Sequence, residues 1–244
     1  MREVNRIPVC KTCLSKPEPL HAEYFCVRCR TPFLNAFPLD EDGVCALCRR
    51  GASGFDAAYS FGAYEGELRE LIHLFKYGRV PTLARPLGKL LALGLPREEH
   101  FDAIVPVPLH WWKRWQRGFN QSELLAKEIA RRTNLPVKNC VRRVKYTNAQ
   151  AGLTNARRRA NVSQAFRAKG KRILEGQRVL LVDDVMTTGA TAASCARALK
   201  RAGATYVALL TVARVDRRVA AASHEFLDSN LSRSSEYAES RSIA

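Results

Sequence analysis

The sequence predicts an α/β fold, a mainly parallel sheet with helices on both faces, preceded by a small cysteine-rich module. Three observations carry this. Strand-like and helix-like patterns alternate between residues 54 and 214. The runs Asp102–Val107, Arg178–Asp183 and Tyr206–Val212 read as short strands buried on both faces, the pattern of a parallel sheet covered by helices. Six of the eight cysteines fall in three Cys-x-x-Cys pairs within residues 1–53.

The elements follow in order. Residues 1–53 form a zinc-ribbon-like module with little periodicity of its own. Ala57–Tyr64 reads as a strand. Glu67–Tyr77 places Leu68, Leu71, Ile72 and Phe75 at helical spacing, and Leu83–Leu95 is a second amphipathic helix. Asp102–Val107 is a strand closed by Pro106 and Pro108, followed by a basic loop with Arg114 and Arg117-Gly-Phe-Asn-Gln121. Asn120–Arg132 is a helix capped by Asn120 or Ser122. Lys138–Lys145 and Arg178–Asp183 are strands, Gly189–Ala202 is a helix, and Tyr206–Val212 is the last strand. Residues 215–244 turn Ser-rich and lose their apolar runs, the composition of a flexible tail.

Composition narrows the function. No apolar run approaches the ~20 residues of a membrane span, so no membrane insertion is expected. Met1–Val9 has no apolar core of a signal peptide, and with free cysteines this points to the reducing cytoplasm. The net charge is +17. Nearly all of it lies between Ile104 and Arg178, where 18 Lys and Arg face only Glu123, Glu128 and Glu175. Such a stretch is either a solvated basic surface or the seat of a polyanion, a diphosphate or a nucleic acid.

The most informative run is Val179–Thr191. An apolar strand ends in Asp183 and Asp184, a short turn follows, and a helix starts at Gly189. Ligands of open α/β sheets bind at the carboxyl ends of strands. Free amides at a helix start attract phosphate, and glycine lets the backbone approach it. Met186, Thr187, Thr188, Gly189, Ala190 and Thr191 would therefore hold a phosphate, with threonine hydroxyls as added donors. The two acids would repel a bare phosphate. They make sense beside the vicinal hydroxyls of a sugar, so the expected ligand is a ribose 5-phosphate group. A Walker A loop is excluded, because its Gly-Lys-Ser/Thr ending is absent.

This run resembles the signature of type I phosphoribosyltransferases, in which the acid pair holds the ribose of phosphoribosyl pyrophosphate (PRPP) and the T-T-G-x-T loop its 5-phosphate. Val105-Pro-Val-Pro108 and the following Arg114, Arg117, Gly118, Asn120 and Gln121 look like the first core strand and pyrophosphate loop of that fold. Gln150, Arg157 and Arg158 fall where it has a flexible loop over the site. Lys76, in Phe75-Lys76-Tyr77, is either an exposed helix-end lysine or an anion contact. In order and spacing, these motifs over Cys26–Arg214 are similar to the competence protein ComF family, which joins zinc knuckles to a phosphoribosyltransferase domain. The resemblance implies PRPP with magnesium, a structural zinc, and a role with single-stranded DNA and the DNA-uptake machinery in natural transformation.

A Cys-x-x-Cys pair is a zinc knuckle by spacing, and four ligands close a structural site. Six cysteines do not divide by four. The resemblance favours Cys26, Cys29, Cys45 and Cys48 and leaves Cys10 and Cys13 without a partner pair. A zinc on the first two pairs, or disulfides, are the alternatives. Cys140 and Cys195 read as core thiols. Trp111, Trp112 and Trp115 interleave with Lys113, Arg114 and Arg117, which suits stacking on single-stranded bases, unless a tryptophan packs beneath the loop. Three readings share the pocket: a competence factor working on or beside single-stranded DNA, a metabolic phosphoribosyltransferase acting on a base or amine, and a PRPP sensor without turnover.

Overall fold

Where strands are apolar on both faces, a sheet has to be covered on both sides, and this dictates the architecture of the computed structural model, which describes residues 7–51, 53–109, 111–144 and 165–216. Four strands form the central sheet: β3 (Ala57–Ala63), β4 (Ala103–Pro106), β7 (Arg178–Met186) and β8 (Tyr206–Arg214). Their spatial order is β3–β8–β7–β4, and every neighbouring pair is parallel. Successive residues of β7 serve opposite cores. Val179 and Leu181 join one apolar cluster, Leu180 and Val182 the other.

The second cluster is covered by α3 (Gly66–Tyr77), α4 (Ala84–Leu93) and α6 (Gln121–Thr133). The helical face read in the sequence is the one that is buried: Leu68, Leu71, Ile72 and Phe75 on α3, and Leu125, Ala126 and Ile129 on α6. Asn120 caps α6, its side chain accepting from the Ser122 amide at 3.2 Å, and Asn134 ends the helix in the left-handed region at φ 56°. A single 3₁₀ turn, Pro81–Leu83, leads into α4. The first cluster is covered by α7 (Ala190–Arg201) and by the N-terminal module.

That module consists of α1 (Lys11–Ser15), β1 (Tyr24–Phe25), β2 (Pro32–Phe33) and α2 (Ala46–Arg49). Strands β1 and β2 are antiparallel, and the turn between them is closed by Arg30 N–H to Cys26 O at 2.8 Å. The module is tied to the edge of the main sheet through Ala58 N–H to Arg28 O at 2.9 Å.

The structure corrects three expectations. The basic segment after Pro108 is not a loop throughout: Trp111–Arg117 is helix α5. The strand expected to stop at Asp183 runs on to Met186, so both acids lie within it. The strand expected over 138–145 is only β5 (Val141–Arg143), and it stays out of the main sheet, pairing antiparallel with β6 (Phe166–Ala168). On β5 only Val141 is buried and Arg142 is exposed, the half-solvated pattern suited to an antiparallel ribbon. The flexible tail expected from residue 215 lies, from residue 217 on, outside the described residues. Among the described residues no helix is long and apolar enough to cross a membrane.

Candidate functional site

Strand β7 carries Asp183 and Asp184 to the carboxyl edge of the sheet. Three elements meet them there. The buried face of α3 presses its last turn over this edge, with Phe75 against Phe119 at 5.6 Å between ring centroids. Lys76 then reaches Asp184, Nζ to Oδ1 at 2.8 Å, with little of either side chain left in solvent. The start of α6 is anchored to the end of β4 by Asn120 Nδ2 donating to Val107 O at 3.2 Å. This sets Ser122 Oγ to donate to Asp183 Oδ1 at 2.8 Å. The same carboxylate oxygen accepts the Asp184 amide at 2.9 Å.

Electrostatics separates the two acids. Burial, and then the charge of Asp184, push the Asp183 carboxyl up to about 7, against the Ser122 hydrogen bond and the charge of Lys76. Burial alone would lower the Lys76 ammonium, but the charge and hydrogen bond of Asp184 outweigh it and raise its pKa. Lys76 is therefore held charged as the counter-ion of the pair. The sequence left its role open; the structure brings it to the acids.

Beyond the acids, Met186 is buried and the chain opens through Thr187 and Thr188 into α7. Gly189 takes φ 74° immediately before the helix, a conformation that favours glycine. A Cβ there would also meet Met186 Cε at 3.1 Å. Ala193 N–H closes the first helical bond, to Gly189 O at 2.8 Å. Ala190 N–H has only a long contact with Thr188 Oγ1, 3.4 Å. The amides of this first turn, with the hydroxyls of Thr187, Thr188 and Thr191 around them, can receive an anion.

Helix α5 ends beside this edge. The Arg117 guanidinium lies 5.0 Å over the ring of Tyr77, the neighbour of Lys76, and donates to Gln121 Oε1 at 3.1 Å. Gly118, at φ 81°, turns the chain from α5 into Asn120. Arg114 stands further out, largely exposed, 3.7 Å from Glu123. Trp111 and Trp115 are exposed and Trp112 is 41% exposed, with the rings of Trp112 and Trp115 stacked at 5.4 Å. The packing beneath the loop that the sequence also allowed is not what these tryptophans do. Gln150, Arg157 and Arg158 lie outside the described residues.

On the other side of α7, the sulfurs of Cys26, Cys29, Cys45 and Cys48 lie within 4.8 Å of one another, all four residues buried. Among the described residues no disulfide joins them. Hydrogen bonds from Cys29, Cys45 and Cys48 drive Cys26 towards its thiolate, while the same crowding pushes Cys48 up. Four thiols this close cannot all ionise without a cation between them, so the donor set fits a soft divalent metal ion. Cys10 is exposed and Cys13 half-buried, outside the cluster. Cys140 and Cys195 are buried, as expected of core thiols.

Sequence reasoning missed two residues that join these parts. Ser122, which holds Asp183, carried only a capping signal. Arg214, at the end of β8 and 2% exposed, donates to Cys29 O at 2.5 Å and to Thr31 Oγ1 at 2.6 Å. It pairs in register with Met186 and lines, with Cys29, Phe55 and Gly189, a small cavity between the cysteine cluster and the turn into α7. No periodicity in the sequence could have announced a contact between residues this far apart.

Comparison with known proteins gives the family of the chain. Residues 120–237 match the family model of the phosphoribosyl transferase domain. The chain is 35% identical over 178 residues to competence protein F of Haemophilus influenzae, covering 70% of this chain and 78% of that protein. It is 32% identical over 177 residues to the DNA utilization protein YhgH of Escherichia coli, covering 70% and 77%. Among solved structures it is similar to the glutamine PRPP amidotransferase of Bacillus subtilis, at 26% identity and a TM-score of 0.37, over 53% of this chain and 26% of that one.

Proposed function

The chain belongs to the competence protein F family and carries a type I phosphoribosyltransferase fold behind a four-cysteine module, and from that premise we propose that it binds PRPP and handles single-stranded DNA in cytoplasmic DNA uptake. One observation carries the PRPP reading. Two carboxylates stand at a strand end beside the open amides of a helix start, and their only close cation, among the described residues, is a lysine that can be exchanged.

The residues divide the work by chemistry. The ribose hydroxyls would donate to Asp183 and Asp184, and the amides and hydroxyls from Met186 to Thr191 would take the 5-phosphate. Lys76 would leave Asp184 for the diphosphate, joined by Arg117, Gly118 and Arg114 from the end of α5. Ser122 would keep Asp183 in position. Magnesium, entering with PRPP, would neutralise part of the diphosphate charge. Zinc is the metal that best fits four cysteine sulfurs, and a module over residues 1–53 would carry it for the domain over 54–214.

The single-strand reading rests on the basic stretch, on the three exposed tryptophans of α5, and on the role named in the relatives. The Escherichia coli relative is a DNA utilization protein by name.

The test is a titration of PRPP with magnesium by calorimetry, on the wild type and on Asp183→Ala/Asp184→Ala. The wild type should bind, and the double variant should lose at least a hundredfold in affinity while keeping its fold. Affinity untouched by the double variant would show that the site is elsewhere. Pyrophosphate release on adding a base or amine would instead favour the metabolic transferase reading, and binding with no release under any acceptor the sensor reading.

A further inference from the structure

We propose that the groove between α4 and α6 is the track for the sugar–phosphate backbone of a single nucleic-acid strand, continuing from the tryptophan helix α5; this rests on the single-strand reading above. The groove has a volume of about 660 Å³. Arg85 and Lys89 line it from α4, and Lys127, Glu128, Arg131 and Arg132 from α6. Arg85 and Lys89 are four residues apart, as are Lys127 and Arg131, so each helix presents a row of cations spaced by about 6 Å along its axis.

The two rows face each other because the helices nearly touch. A Cβ on Gly88 would come within 2.4 Å of the Glu128 Cβ, so only glycine permits this approach. Glu128, buried on the floor, is already paired with Arg131. Lys127 has a long contact with Glu123, 3.8 Å. Among the described residues Arg85, Lys89 and Arg132 have no carboxylate partner at all. A solvated basic face spreads its cations and mixes in acids. Here the surplus converges on a concave surface. Thr82, which also lines it, has a buried Oγ1 with no hydrogen-bond partner.

The arrangement suits a chain of phosphates better than one small anion. The cations run along both banks over a full turn of each helix and do not converge on a point, although the first turn of α4, from Ala84, borders one end of the groove. The groove is also continuous with the aromatic platform. Glu123 faces Arg114 of α5 at 3.7 Å and Lys127 of the groove at 3.8 Å, so one carboxylate bridges the two regions. Bases stacked on the tryptophans would leave their backbone to descend along Lys127 and Arg131.

The experiment measures binding of the full chain to a labelled thymidine homopolymer over a range of salt, for the wild type and for Arg85→Ala/Lys89→Ala/Arg132→Ala. All three side chains are exposed, and an unchanged thermal midpoint and PRPP titration would show that the fold is intact. The variant should bind at least tenfold more weakly at low salt. Its plot of log affinity against log salt should flatten by about 2, since each lost contact to a single strand removes about 0.7 from the slope. An unchanged affinity and slope would overturn the track, as would displacement of the strand by inorganic phosphate at equal ionic strength. A wild type that binds PRPP but no strand would refute the single-strand reading itself, a separate outcome.

Discussion

Two clusters of like groups flank the start of α7, and they solve the same problem in opposite ways. The carboxylates of Asp183 and Asp184 have a cation supplied from within the chain, Lys76, and a hydroxyl from Ser122. The thiols of Cys26, Cys29, Cys45 and Cys48 have, among the described residues, no cation of their own, and the Thr31 hydroxyl lies 3.0 Å from Cys29 Sγ. A site that must trade ligands keeps a displaceable counter-ion. A site that must stay closed leaves its charge for a metal to neutralise.

The contrast is broken most sharply at the cysteines. Cys26→Ser/Cys48→Ser should remove about one metal ion per chain and most of the thermal stability, because structural zinc sites contribute about 10 kcal/mol or more to folding. Metal analysis and thermal unfolding read this directly, and a variant that melts like the wild type would mean that the cluster holds no metal. Next in size is the internal cation. Lys76→Met leaves two acids facing each other and should cost about 3 kcal/mol in denaturant unfolding, the scale for removing one partner of a buried pair. Adding Asp184→Asn should restore most of that loss, since the surviving acid then has no like charge beside it. A loss that the second change does not relieve would show that Lys76 acts through packing.

The smallest effect is the pH response of Asp183. Its folded pKa lies above the usual carboxylate range, so the native state holds the proton more tightly than the unfolded chain. The stability it contributes is therefore present at acid pH and is lost as pH rises to about 7. Asp183→Asn should raise the thermal midpoint at pH 8 by a few degrees, worth on the order of 1 kcal/mol because the residue is partly solvent-exposed, and should change nothing at pH 4. PRPP affinity in the wild type should climb as pH passes 7, because ribose hydroxyls need an ionised acceptor. A flat profile in both measurements would place the perturbed acid elsewhere.

How much of this the sequence disclosed varies with the range of the interactions. The two central strands were legible because Val179–Val182 and Val207–Leu210 are apolar without interruption. Helix α6 was legible from its period and from Asn120 at its start. The turn into α7 was legible because acid pair, threonines and glycine are consecutive. The extension of β7 past Asp183 was not, since two acids end an apolar run while the backbone goes on pairing with Thr211 through Arg214. Helix α5 escaped because Trp111–Arg117 has no buried face to give it a period; its rings are exposed. The β5–β6 pair and the reach of Arg214 depend on which distant segments meet, and no local pattern encodes that.

The guanidinium of Arg214 reaches Cys29 across 185 positions of chain. The cysteine module therefore leaves a ribosome well before the arginine that braces it. Strand β3 is in the same position, because its one neighbour in the sheet, among the described residues, is β8, which is made after β4 and β7. During synthesis the first segments therefore wait without their native partners, while α3, α4 and α6 can already gather on β4 and β7. Completion of β8 gives the cysteine module and β3 their partners in one event, so truncation just before it should leave the cysteines exposed to oxidation and the nascent chain open to proteases.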